Sequence, residues 1–398
     1  MGNTKVTDDW QPVSQAERHA ALDTLRGLAL LGVVLVNLHV NFRVSLAESI
    51  LAPHTDAGWA DRATDVMISG LLEFKAAAVF SLLFGVGLAV FTERSTARGA
   101  SSTRSLARRL LVLFAIGLCH VLLIWNGDIL AFYAVCGFLI LPLLRLPAAA
   151  QAAAGTVAVV LSFFLPWGFV WPTDDTLNGL AAEATRVYTD GSFGDVLAFH
   201  WRETRLLIFP LLVISLPKTW GLMAIGAAAW HAGVFRDPSG HRRLLWAVAV
   251  LGGVIGGTAT AFSVYSAFTG RPTGITPVLL EVGSHVPLAL GYAAGLVLAM
   301  QSSAATRAAA PFAAAGQMAL TNYLSQSVAL SLLFYGYGLG LFGRFGAAAA
   351  AGVGVTLYAG QLALSRVWLQ RYRFGPVEWL WRSLTYGRLQ PMRRAEVP

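Results

Sequence analysis

The sequence predicts an all-α, polytopic transmembrane helix bundle of about ten spans with both termini in the cytoplasm. Three observations carry that expectation. Hydrophobic residues make up 56% of the chain against 13% charged, and the mean hydropathy is +0.61, a balance foreign to soluble domains of this length. Apolar runs long enough to cross about 30 Å of hydrocarbon recur along the chain. Arginine clusters then fall in alternate connections, as the positive-inside rule asks of cytoplasmic loops.

Taken in order, residues 1–21 are polar and mixed in charge, with no short apolar core followed by a small-residue cleavage site. They read as a cytoplasmic segment and not as a removed signal peptide. Residues 22–369 follow as the bundle, with spans centred on 22–42, 72–91, 106–125, 129–144, 149–169, 205–230, 244–268, 277–300, 311–335 and 345–369. The connection after the second span holds Arg94, Arg98, Arg104, Arg108 and Arg109, and the one after the sixth holds Arg236, Arg242 and Arg243. The opposite side receives the two longest loops, of which 172–195 is acidic. Pro210, Pro217 and Lys218 interrupt the sixth span, which leaves a kinked helix and two half-helices with a re-entrant segment both open. The Ala/Gly run 346–354 suits close helix packing. Residues 370–398, basic and rich in tryptophan, read as a segment lying on the inner leaflet.

Several classes are excluded. The net charge of +8 forms no stripe that could track phosphates, so nucleic acid is not an expected partner. Cys119 and Cys136 lie in apolar runs without metal-ligand spacing, so no metal is expected, and nothing suggests a covalently bound cofactor. The lipid bilayer is the expected partner and a bacterial cytoplasmic membrane the expected location, the latter from the scarcity of lysine beside abundant arginine and alanine. The oligomeric state is not readable.

The organising stretch is the hairpin 108–144, whose two apolar runs are joined by little more than Trp125, Asn126, Gly127 and Asp128. A link that short sets them antiparallel and adjacent. His120 sits inside the first run, where an ionisable group is costly and marks a candidate site. Eleven residues separate Arg109 from His120, and eleven separate Arg26 from Asn37. At 1.5 Å per residue each pair is a stripe about 16 Å deep on one helical face. The predicted arrangement is a ring of Arg26, Arg108 and Arg109 at a cytoplasmic mouth, with Asn37 and His120 meeting deeper. The ninth span adds Asn322, Tyr323, Ser325 and Gln326, and the eighth adds Glu281, Ser284, His285 and Tyr292. Asp23, Lys75 and Asp128 complete the expected polar lining. Bland readings stand beside these: Asn322 and Gln326 as interhelical glue, the arginines as snorkelling side chains, Asp128 as a helix cap, and His39 on the wrong face.

Residues Leu22-Asp23-Thr24-Leu25-Arg26-Gly27 with Asn37 are one part of a familiar set, joined by the run from Phe80 to Gly85, and by His120 with Trp125 to Leu130. Thr321-Asn322-Tyr323 and the close from Phe374-Gly375-Pro376 to Tyr386-Gly387 complete it. Together they resemble the YeiB-like family (domain of unknown function 418). That family is similar in fold to the wider transmembrane acyltransferase superfamily, which includes bacterial polysaccharide O-acetylases and the lysosomal heparan-α-glucosaminide N-acetyltransferase. The resemblance implies transfer of an acyl group from acyl-CoA to a hydroxyl or amine. The O-acetylases carry histidine where this chain has Asn37, which moves the expected catalytic base to His120.

The function expected from this reading is an integral-membrane acyltransferase with acyl-CoA as co-substrate and a small-molecule or glycan acceptor. Its catalytic residues would be His120, Asn37 and Asn322, and its donor-phosphate ligands Arg26, Arg108 and Arg109. The alternative is a permease or exporter of a small amphiphile, with Lys218 and the Glu281–His285 pair as coupling or substrate groups.

Overall fold

The computed structural model describes residues 20–51, 58–97, 102–165, 171–269 and 275–394, without the side chains of 263, 266–269 and 275–282. Among the described residues the chain is helical, with one isolated bridge between Tyr372 and Arg393. The helices are α1 (Ala20–Asn37), α2 (Leu46–Leu51), α3 (Trp59–Leu71), α4 (Lys75–Ala97), α5 (Ser102–Leu123), α6 (Leu130–Ile140), α7 (Ala148–Ser162), α8 (Asp174–Asp190), α9 (Phe193–Glu203), α10 (Phe209–His231), α11 (Arg242–Thr269), α12 (Ile275–Ala299), α13 (Ser303–Gln317), α14 (Ala319–Phe334), α15 (Ala347–Arg371) and α16 (Pro376–Tyr386). Six helical runs among the described residues are long and apolar enough to cross a membrane: Ala20–Phe42, Trp59–Ala97, Thr103–Leu123, Phe193–His231, Arg242–Phe262 and Ala347–Arg371. Leu130–Ile140, Ala148–Ser162 and Gly283–Ala299 are shorter apolar helices.

Packing follows small residues. Helix α1 lies against α13, α4 against α10, α7 against α10, and α11 against α12. At the α1–α13 crossing a Cβ on Gly27 would overlap the Phe312 carbonyl, and one on Gly316 would overlap that of Asp23. The two backbones therefore touch, which draws the Asp23–Arg26 turn against the end of α13. Without a hydrophobic force between helices in lipid, such close van der Waals contact is a principal source of association.

Three features depart from the expectations, and one point left open is closed. Helix α1 continues into a π-helical turn, Leu38–Phe42, so its final residues leave the 3.6 spacing that sets the Arg26–Asn37 stripe. Within that turn His39 approaches Asp65 at 3.4 Å, and Arg43 just beyond it approaches the same oxygen at 3.5 Å. The sixth span is continuous: α9, a π-helical turn Thr204–Ile208 and α10 run on without a gap, with Pro217 inside the helix. It is the ninth span that breaks, at Met318 between α13 and α14 (φ −110°, ψ 31°). The acidic connection 172–195 is not a loop but α8, capped by Thr173 and buried through Leu177, Leu180 and Tyr188. The segment expected at 1–21 lies almost wholly outside the described residues.

The α1–α13 contact makes a prediction. Gly27→Val should lower the melting temperature of the purified protein, through overpacking worth about 1–3 kcal/mol or more. Gly257→Ala, where the added carbon meets open space, should be neutral or slightly stabilising.

Candidate functional site

A cavity of about 350 Å³ opens between α1, α4, α5, α14 and α16. Its two ends differ in chemistry. At one end stand Arg26 from α1, Arg94 from α4, Arg109 from α5 and Arg382 from α16, with Asp23 and Glu378. Leu30, Leu83, Phe84, Leu88, Leu113 and Leu130 make the walls, and Tyr133 and Tyr323 are among the remaining lining residues. The four guanidinium groups outnumber the two carboxylates, and both carboxylates are engaged. Asp23 pairs with Arg26 at 2.7 Å. Glu378 accepts from the amides of Leu320 at 2.7 Å and Thr321 at 3.1 Å, and from the Thr321 hydroxyl.

That second set of contacts explains the break at Met318. Helix α14 begins inside the protein, where its orphan amides have no water to meet. The Glu378 carboxylate caps them from α16, which starts at the N-cap Gly375 with Pro376 in its first turn, as proline's fixed φ favours. Burial raises the Glu378 carboxyl above its ordinary value, while the hydrogen bonds from Thr321 and Leu320 pull it back. Trp381 donates its indole N–H to the Arg109 carbonyl at 2.9 Å. The Arg109 guanidinium stacks over the Trp381 ring at 3.9 Å and faces Phe91 at 5.3 Å. Arg382 lies 4.6 Å from the Phe374 ring. Gly387 ends α16 at φ +67°, a left-handed position glycine takes without strain, and an added Cβ there would strike the Arg108 guanidinium. The segment expected to lie along the membrane surface thus builds a wall of the cavity.

Beyond Tyr323 is the hairpin tip. His120 is buried, 1% exposed, and its Nδ1 lies 2.9 Å from one oxygen of Asp128. The other Asp128 oxygen accepts from the Ala131 amide at 2.9 Å and caps α6. Asp128 is therefore both the cap and the group that orients the imidazole. Nε2 of His120 has no hydrogen-bond partner, and the ring lies 5.4 Å from that of Tyr323 and 6.3 Å from that of Trp125. Asn126 secures the tip by donating to Glu203 at 2.8 Å. A second, smaller pocket of about 60 Å³ is lined by Asn37, Phe74, Ala77 and others. Val33, Ile129 and Tyr323 line both spaces and divide them.

The expected site residues separate accordingly. Asp23, Arg26, Arg109 and Tyr323 line the large cavity, and Asn37 lines the small pocket. His120 and Asp128 form a pair behind Tyr323 and line neither space. Arg108 sits outside the lining, against the end of α16. Asn322 donates to the Ala315 carbonyl at 3.1 Å and to Ser365 at 3.0 Å, and Gln326 donates to Gln361 at 2.8 Å. Both fasten α14 to α15, the gluing role that stood as their bland reading. Lys75 donates to the Ser69 carbonyl at 3.1 Å and lines neither space. His285 stacks on Phe74 at 4.7 Å, outside both. The side chain of Glu281 lies outside the described residues. The reading from sequence missed Arg382, Glu378, Trp381 and Tyr386 as lining residues, because it laid their helix on the bilayer. It took Arg94 as a topology marker alone. The acidic Glu378 inside an otherwise basic, aromatic segment was the available signal.

Removing the cap tests this architecture. Glu378→Ala strips the α14 terminus of its acceptor and should destabilise the protein by about 1–3 kcal/mol, read as a lower melting temperature in detergent.

The family model described as "Protein of unknown function (DUF418)" matches residues 229–388, which contain α14 and α16 and so the capped break. Over 408 residues the chain is 32% identical to "Uncharacterized protein YxaH" of Bacillus subtilis (strain 168), with 96% of this chain and 98% of that one covered. It is 29% identical over 395 residues to "Uncharacterized 39.9 kDa protein in amylase 3'region" of Bacillus acidopullulyticus, covering 96% and 97%. It is 27% identical over 393 residues to "Uncharacterized protein YeiB" of Escherichia coli (strain K12), covering 93% and 96%. No solved structure matches the chain. The similarity runs from end to end and includes the helices that close the cavity: the chain belongs to the YeiB-like DUF418 family.

Proposed function

We propose that this protein is an integral-membrane acyltransferase of the bacterial cytoplasmic membrane. It would move an acyl group from acyl-CoA to a hydroxyl or amine of a sugar, envelope component or small metabolite. The observation that carries the reading is the two-ended cavity, with four arginines at one end and apolar walls leading to Tyr323 and, behind it, the His120–Asp128 pair. A donor with an anionic head and an apolar tail matches that polarity, and arginine's planar fork is suited to phosphate oxygens. In this reading about ten spans place both termini and the arginine end in the cytoplasm, where acyl-CoA is made, an orientation the arginine distribution supports.

The chemistry divides among the residues as follows. Arg26, Arg94, Arg109 and Arg382 hold the donor's phosphates, with Arg109 fixed in place by Trp381. His120, oriented through Nδ1 by Asp128, takes the acceptor's proton at Nε2. The acceptor oxygen or nitrogen bonds to the thioester carbonyl carbon, the carbon–sulfur bond breaks, and the thiolate leaves with the proton. The hydroxyl of Tyr323 lies beside Asp128, so turning that ring aside exposes the imidazole to the cavity and joins the cavity to the Asn37 pocket. Asn37 then orients the acceptor or donates to the developing oxyanion. Resemblance to the transmembrane acyltransferase superfamily supports the same assignment.

One observation favours a second reading. Val33, Ile129 and Tyr323 divide two spaces, and such a partition would serve as the gate of an exporter for a small amphiphile.

Transfer from labelled acetyl-CoA by purified protein in nanodiscs tests the first reading. His120→Ala should lower kcat by about 10²–10⁴-fold, and Arg109→Gln should raise KM for the donor by roughly tenfold. Turnover undiminished in His120→Ala would overturn the assignment. Accumulation of an amphiphile in proteoliposomes lacking acyl-CoA would favour the exporter.

A further inference from the structure

Away from the cavity, three basic side chains gather where α3 meets α4. Lys218 projects from α10 and places its ammonium 5.4 Å from the centre of the Phe74 ring. His285, on α12, stacks on that ring at 4.7 Å. Lys75 begins α4 beside them, and both lysines act on His285 through their charges. Along α10, Lys218 lies roughly 18 Å from Trp230 at 1.5 Å per residue, and Trp230 marks a polar end through its bond to Glu93. The cluster therefore sits well inside the apolar zone.

Two of these groups lack hydrogen-bonding partners. His285 is 3% exposed, yet neither of its ring nitrogens has one, although an imidazole always carries at least one N–H to donate. Lys218 touches a ring face and feels the repulsion of Lys75. Unanswered ionisable groups are costly in hydrocarbon and mark functional positions. The ring that both approach is itself held at a price in geometry: Phe74 has φ +58°, an outlier for a bulky residue, and backbone strain of this kind clusters at ligand-binding sites. Phe74 is 47% exposed, so the cluster is reachable past its ring. The same residue lines the Asn37 pocket.

We propose that Lys218 and His285 form a binding site for a single oxyanion, the phosphate or carboxylate headgroup of an amphiphile entering laterally past Phe74. The ammonium supplies a point charge and the imidazole an N–H donor, together matching two oxygens of one headgroup. Because Phe74 also borders the pocket of Asn37, the remainder of such a ligand extends toward Tyr323. The site stands independently of acyl transfer.

The test measures melting temperatures in nanodiscs of phosphatidylcholine, with and without phosphatidic acid, and with inorganic phosphate added to phosphatidylcholine discs. Phosphatidic acid should raise the melting temperature of wild type. Lys218→Met and His285→Phe should each weaken the response by roughly tenfold in ligand concentration, and Lys218→Arg should keep it. In phosphatidylcholine alone, Lys218→Met should melt at or above wild type, since it removes an unanswered charge. A response to inorganic phosphate that the same variants abolish supports the site and assigns it a soluble anion. The proposal is overturned if neither anion shifts wild type, if the variants respond as wild type does, or if Lys218→Met melts lower in every disc.

Discussion

Asp128 uses its two oxygens for two different tasks, and the centre of the protein depends on that division. One oxygen closes the N-terminus of α6, and the other holds Nδ1 of His120. Water is scarce inside a packed bundle: among the described residues the helix end has, besides Asp128, only the Tyr323 hydroxyl, 3.4 Å from the Ile129 amide, and Nε2 of the imidazole has no partner. The short link between α5 and α6 brings both to one carboxylate. Its neighbours secure the geometry: Trp125 packs on Phe42 at 5.2 Å, and Asn126 reaches across to Glu203. The imidazole is consequently fixed at one nitrogen and unengaged at the other, the condition a general base requires.

The same scarcity of water sorts the remaining polar groups into two kinds. Asn322, Gln326, Gln361 and Ser365 hydrogen-bond to one another between α14 and α15, and they hold the two helices together. The arginines of the cavity end are arranged differently: Arg26 is held by one acid, and Arg109 and Arg382 lie against aromatic rings. Arg109, gripped between Phe91 and Trp381, shows the pattern most clearly. Stacking fixes the plane of the guanidinium without consuming the donors at its edge.

Much of this was legible in the residues. The spacing of Arg26 and Asn37, and of Arg109 and His120, pointed to a charged end with polar groups deeper; Arg26 and Arg109 do share the large cavity, while Asn37 lines the smaller pocket and His120 lines neither. The hairpin at Asp128 was legible from its length alone. Three physical effects hid the rest. A π-helical turn shifts the phase of a stripe and leaves no mark in composition, so the face taken by Leu38–Phe42 could not be read from spacing. A proline invites a break, yet Pro217 is accommodated while the chain parts at Met318, because a distant carboxylate stabilises the new helix end there. Finally, a short amphipathic segment reads alike whether its apolar face meets lipid or protein. Only the position of Glu378, opposite the α14 amides, distinguishes the two for α16.

The dependence of α14 on α16 has a consequence for biogenesis. Helix α16 leaves the ribosome after every other helix that borders the cavity, so the pocket stays incomplete while those helices enter the membrane. Until translation reaches Tyr386, the nascent chain presents a bundle lacking Arg382 and Trp381, with the start of α14 uncovered. Completion of the arginine-lined end is thereby deferred to the last helix that borders it.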